Sequence, residues 1–147
     1  MSKTSELLSF LINRSETTEQ WLQLLNARYS LDDYKTLTGE LAADEAHYRA
    51  LLIEARDSNA WGSLDADLER LSLRMHEPMT EDVEPMDALA LSGQLGLVVN
   101  DTIEVLLKVV DFVSDAEVRE AIKRIARVKA FTYVAVRRTH EELLIYA

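Results

Sequence analysis

Apolar residues recur along this chain at the three- and four-residue spacing of amphipathic helices. Leu7, Leu11, Trp21 and Leu25 mark one stripe and predict a first helix over about residues 5–27, capped by Ser2 or Thr4. Arg14 and Thr18 interrupt that stripe at mid-length. A second helix is predicted over about residues 31–56, with Ser30 as its cap ahead of Asp32 and Asp33. Its stripe reads Tyr34, Leu37, Leu41, Asp44, Tyr48, Leu51 and Ala55, so a carboxylate falls on the inward side.

The periodicity lapses after Asp57. Asn59 and Gly62 punctuate the chain, Ser63 can cap a short helix to about Met75, and residues 76–85 hold two prolines and four acids. A third long helix is predicted from Pro85 or Met86 to about Val113, with proline suited to its first turn. Its charges Asp87, Asp101, Glu104, Lys108 and Asp111 lie on one side, and Gly93 and Gly96 allow a neighbour to approach. The fourth begins after Ser114, with Glu117 at capping-box spacing, and runs to about Tyr146. Its inward candidates are Val118, Ile122, Ile125, Val128, Thr132, Val136 and Leu143. The expected architecture is therefore all-α: one domain over 1–147, two helical hairpins, and a crossover at about 57–84 containing a short helix. Residues 40–50 can also be laid over residues 124–134.

Composition narrows the function classes. Only four glycines and two prolines interrupt 147 residues, which favours long helices, and the length suits a single core. A net charge of −10 argues against nucleic acid and against anionic membranes. The absence of cysteine removes disulfides, thiolate metal sites and cysteine nucleophiles. The uncharged stretch 88–100 is shorter than the ~20 residues of a membrane span, and the start lacks the pattern of a secretory signal. A soluble cytoplasmic protein is expected. Dinucleotide, phosphate-loop, zinc-finger and nucleophile-elbow patterns are missing.

The candidate chemistry lies in Asp44 and His47, one helical turn apart, so that both can reach a common point. An ionisable group in an apolar stripe is costly unless something pairs with it. Metal-binding bundles place such carboxylate-x-x-His pairs inward.

The paired hairpins, the crossover and the run Leu41-Ala42-Ala43-Asp44-Glu45-Ala46-His47 resemble the ferritin-like superfamily, its rubrerythrin-like members most closely. The resemblance implies a four-helix bundle holding two metal ions, iron or manganese, with a glutamate from each of two helices and Glu-x-x-His from the other two. Asp44 and His47 match one such pair. The other positions fall near Arg14, at Gln94, and at Val128 with Phe131, or at Arg137 with His140. A guanidinium repels a metal ion and hydrocarbons cannot bind one, so a complete dinuclear site and its cofactor are not expected.

The structure expected in its place is a buried polar cluster: Arg14 paired with Asp44, and His47 or Tyr48 hydrogen-bonded nearby. Glu16, Glu19 and Glu40 read as solvated flanks, and His76 and His140 as surface residues. Tyr48 and Tyr133 are expected with their hydroxyls at the bundle's edge, and Trp21 and Trp61 as core or crossover anchors. The first functional reading is a non-catalytic binding or dimerisation module. It associates with a protein partner or forms a homodimer through the apolar third long helix. The alternative is an iron or manganese oxidoreductase or peroxide-handling protein, with Asp44, His47, Glu40 and Glu16 as ligands. A small ligand held between the helices is a third reading.

Overall fold

In the computed structural model, which describes residues 2–71, 73 and 82–146 (without the Tyr146 side chain), the chain forms five helices and no strand among those residues. They are α1 (Lys3–Arg28), α2 (Asp32–Asp57), α3 (Leu64–Leu68), α4 (Ala88–Val110) and α5 (Ala116–Tyr146). Three residues link α1 to α2 and five link α4 to α5, so each pair is an antiparallel hairpin. The expected all-α bundle of two hairpins is present.

Local capping sets most helix starts. The Ser2 hydroxyl accepts from the Ser5 N–H at 3.1 Å and opens α1. Asp87 accepts from the Ala90 N–H at 2.8 Å, so α4 starts after Asp87 and not at Pro85. Asp115 takes the capping role expected of Ser114, accepting from the N–H groups of Glu117 and Val118. Ser114 is turned away to donate to Asp67 at 3.1 Å. At α2 the cap position falls on Leu31, not Ser30, and Asp32 and Asp33 supply the negative charge a helix start favours. The short helix ends at Leu68; Met75 and His76 lie outside the described residues.

The core has two parts. One gathers Leu7 and Leu11 of α1, Leu52 of α2, Leu106 and Val109 of α4 and Ile122 of α5. The other gathers Trp21 and Leu25, Leu41, Leu91 and Leu95, and Val136. The start of α1 thus meets the end of α4, and the end of α1 meets the start of α4. These two helices are antiparallel, and by the same argument so are α2 and α5. Trp61, Leu64 and Leu68 join the first cluster, whereas Val83 and Met86 pack on the second. Residues 82–87 therefore lie at the far end of the bundle from residues 61–71. Thr4 ties the latter to α1, its N–H and hydroxyl donating to Asp65 at 2.9 and 2.6 Å; these bonds hold the Asp65 carboxyl below its ordinary range.

The two hairpins repeat one another. Arg14 reaches the Val98 carbonyl and Glu45 reaches Lys129, and each pair is 84 residues apart. The same interval relates the buried residues Leu7 and Leu91, Leu22 and Leu106, Ala42 and Ala126, and Leu52 and Val136. Even a local bond recurs: the Thr18 hydroxyl donates to the Arg14 carbonyl at 2.8 Å, and the Thr102 hydroxyl to the Val98 carbonyl at 3.1 Å. A pseudo-two-fold axis perpendicular to the helices relates the halves, and the register is the one in which residues 40–50 overlay 124–134.

The α2 stripe is rotated from its expected place, and the α5 stripe departs from its own at one position. On α2, Asp44 and Leu51 are exposed, and Glu45 and Leu52 lie inside; on α5, Val128 is exposed and Lys129 is buried. At 3.6 residues per turn, both 41-44-48-51 and 41-45-48-52 make a continuous stripe. Each offers two leucines, one tyrosine and one carboxylate, so hydropathy cannot separate them.

The α4–α5 contact depends on Gly93. A Cβ there would lie 3.0 Å from Cε1 of His140, whereas one on Gly96 would meet nothing within 4 Å. His140 is not the surface residue expected, since its Nδ1 sits 2.9 Å from the Ser92 hydroxyl and 3.1 Å from the Leu89 carbonyl. Gly96→Ala is expected to stabilise the protein by up to ~1 kcal/mol through helix propensity. Gly93→Ala should return less or turn destabilising, because the imidazole must shift. Urea denaturation of the two variants side by side checks the difference. Taken whole, α4 is long and apolar enough to cross a membrane, and 44% of its most apolar window is buried inside the bundle.

Candidate functional site

Between the two apolar clusters lies a layer of buried polar side chains. α1 contributes Arg14, Ser15 and Thr18, α2 contributes Glu45, α4 contributes Thr102, and α5 contributes Lys129 and Thr132. All sit near the middle of their helices, where the pseudo-axis crosses the bundle. Polar atoms at this depth must find partners within the protein.

The deepest pair is Lys129 and Glu45, each side chain 2% exposed, with the ammonium donating to the carboxylate. The same ammonium sits 4.4 Å from the centroid of the Tyr48 ring, so one cation meets both a charge and a π face. Burial pulls the Lys129 ammonium below lysine's ordinary value, and the Glu45 charge opposes that pull. Burial, reinforced by Glu45, pushes the Tyr48 phenol well above its ordinary value. The Tyr48 hydroxyl is buried and has no hydrogen-bond partner among the described residues, which corrects its expected place at the bundle's edge.

Arg14 is as deeply buried as Lys129, but the expected pairing with Asp44 does not form. Its guanidinium runs between α1 and α4, 4.8 Å from the Phe10 ring centroid, to the Asp101 carboxylate at 2.8 Å. Asp101 is 48% exposed, so this ion pair keeps one side in water. Arg49 and Glu19 form a third pair at 2.7 Å on the α1–α2 flank. The bonds at this level thus tie α1 to α4, α2 to α5 and α1 to α2.

Of the other predicted site residues, Asp44, His47, Glu40 and Glu16 are all exposed. The first three share the outer flank of α2, and Glu16 is on α1. No group of three or more His, Cys, Asp or Glu residues among the described ones can hold a metal ion. Val128 and Phe131 point outward, 43% and 67% exposed, and Gln94 is half-buried. The other candidate pair is engaged elsewhere: Arg137 donates to Glu141 and to the Tyr133 hydroxyl, and His140 binds α4. These two residues also line an open groove between α4 and α5, beside Gly93, Leu97 and Asn100.

The residues at the centre do not fit a dinuclear metal site. Glu45 is the one buried carboxylate among the described residues, and Lys129 already neutralises it. Two fixed cations within the layer add repulsion where metal charge would sit. Sequence reasoning missed Glu45 and Lys129, although the overlay of the two halves contained a signal. In that register a carboxylate in one half stands over an ammonium in the other, and residues related by a two-fold axis can meet on it.

No protein-family model and no curated protein matches the chain. Among solved structures it is similar to a hypothetical protein from Pyrococcus furiosus, with 17% sequence identity and a TM-score of 0.74. The likeness covers 98% of this chain and 92% of that one. At that identity it shows the fold alone.

Proposed function

We propose that this chain is a ferritin-like, rubrerythrin-like helical bundle whose centre is closed by side-chain ion pairs, and that it works as a non-catalytic binding or dimerisation module. Three features support the ferritin-like layout: antiparallel α1 and α4, residues 61–71 and 82–87 at opposite ends of the bundle, and a perpendicular pseudo-axis. The single observation that carries the functional reading is the Lys129 ammonium on Glu45 at mid-bundle. That carboxylate is the natural metal ligand by depth and position, and a lysine occupies its lone pairs. Ligation would require moving a buried cation first.

The competing reading, an iron or manganese oxidoreductase or peroxide-handling protein, needs Asp44, His47, Glu40 and Glu16 to converge, and the fold holds them on exposed flanks of two helices. Elemental analysis of protein produced with iron and manganese and purified without chelator separates the two. The expected result is metal far below one ion per chain and an unfolding temperature indifferent to chelator. Stoichiometric metal that disappears in His47→Ala would overturn the proposal.

A further inference from the structure

Positions 40, 47 and 54 on α2 and 124, 131 and 138 on α5 are all exposed and spaced one heptad apart. Seven residues make nearly two turns, so each trio forms a single stripe. The α2 stripe lies away from α1, because Arg49 and the groove residues Thr38, Gly39 and Ala42 mark the flank that faces α1. The α5 stripe lies away from α4, because Tyr133, Arg137 and His140 mark the flank that faces α4. The two helices are neighbours, joined by Glu45–Lys129 and by the Tyr34 hydroxyl donating to Glu142. Both stripes therefore face outward on the α2–α5 side of the bundle.

Their chemistry is opposite. α2 presents Glu40, His47 and Glu54, and α5 presents Arg124, Phe131 and Arg138. None of these four acidic and arginine side chains forms an ion pair among the described residues. Phe131 is 67% exposed, and Leu51 and Val128 extend the apolar centre around it. By contrast α4, whose surplus of apolar positions suggested a contact, keeps Leu91, Leu95, Val105 and Leu106 inside and exposes Leu97 and Leu107.

We propose that the α2–α5 face is the interface of a homodimer, covered by a second copy of this chain about a two-fold axis parallel to the helices. That axis lays α2 of each copy over α5 of the other, acid on base. An axis across the helices would set α2 on α2, acid on acid, and like charges oppose it. A two-fold rotation moves nothing along its own axis, so the register is fixed by the level at which Glu45 meets Lys129. Counting from there, Glu40 falls within about one turn of Arg138 of the second copy, His47 of Phe131, and Glu54 of Arg124. Glutamate and arginine side chains are long enough to close that offset. The inference deepens the association-module reading and rests on it for what the dimer is for.

Sedimentation equilibrium of the full chain tests it. The parent is expected to be a dimer. Phe131→Glu, Glu40→Arg and Arg138→Glu should each weaken association by about tenfold or more. The double variant Glu40→Arg with Arg138→Glu should recover most of the loss. All three positions are exposed, so circular dichroism should stay at parent values, and so should the unfolding temperature once parent and variants are compared at a concentration where both are monomeric. Leu97→Glu on α4 should leave the dimer intact. A monomeric parent, a dimer indifferent to Phe131→Glu, or one broken by Leu97→Glu would each overturn the interface. Metal content is read separately: a dimer carrying stoichiometric iron would defeat the metal-free reading and leave this interface standing.

Discussion

Replacing Glu45 by leucine is expected to cost the fold about 3–5 kcal/mol, because it strands the Lys129 ammonium in the core without its counter-charge. The double variant Glu45→Leu with Lys129→Met should recover that loss and unfold at a urea concentration near or above the parent's. Apolar side chains of similar volume avoid the desolvation both charges carry. Urea denaturation of parent, single and double variants checks the ordering. A Glu45→Leu protein as stable as the parent would show that the pair is not buried as described. The pH dependence gives a second reading. Burial already holds Lys129 below lysine's ordinary value, and removing the carboxylate that opposes this deepens the shift. Between the folded and unfolded lysine values the unfolded chain binds a proton that the folded chain does not. Stability of the single variant should therefore rise as pH increases into the alkaline range, more steeply than the parent's.

Trp61→Ala is expected to lose about 3–5 kcal/mol, comparable to truncating a core residue of any long helix. Trp61 precedes α3 outside the four long helices, yet it is only 7% exposed and packs in the same cluster as Leu7, Leu52 and Ile122. Its neighbours Leu64 and Leu68 are buried there too. If the connection were a loosely held linker, the substitution would cost little and the urea midpoint would hardly move. The Asp65–Thr4 bonds lie on the same segment and should exchange faster with solvent in the variant, which amide hydrogen exchange at Thr4 would register.

Arg14 could be read from the sequence as buried, because leucines and tryptophan flank it at helical spacing in a stripe with one register. The whole of that first stripe is buried: Leu7, Leu11, Arg14, Thr18, Trp21 and Leu25. Its partner was a different matter. Asp44 and Asp101 are both mid-helix acids, and only the position of α4 against α1 decides which one the guanidinium meets. On α2 the choice between Asp44 and Glu45 was open for a similar reason, since two adjacent acids precede two adjacent leucines. Lys129, which reads as a surface residue, settled the rotation once α5 lay beside α2.

By itself the sequence determined the helices, their hairpin pairing and the presence of charge in the core, because spacing, capping residues and scarcity of glycine and proline act within one or two turns. The tertiary structure decided which charges pair, which face of α2 turns inward and which stripes stay exposed. Those outcomes depend on a rotation of about 100° per residue, one position out of register, and on residues 84 apart meeting across an axis. No local pattern carries that information.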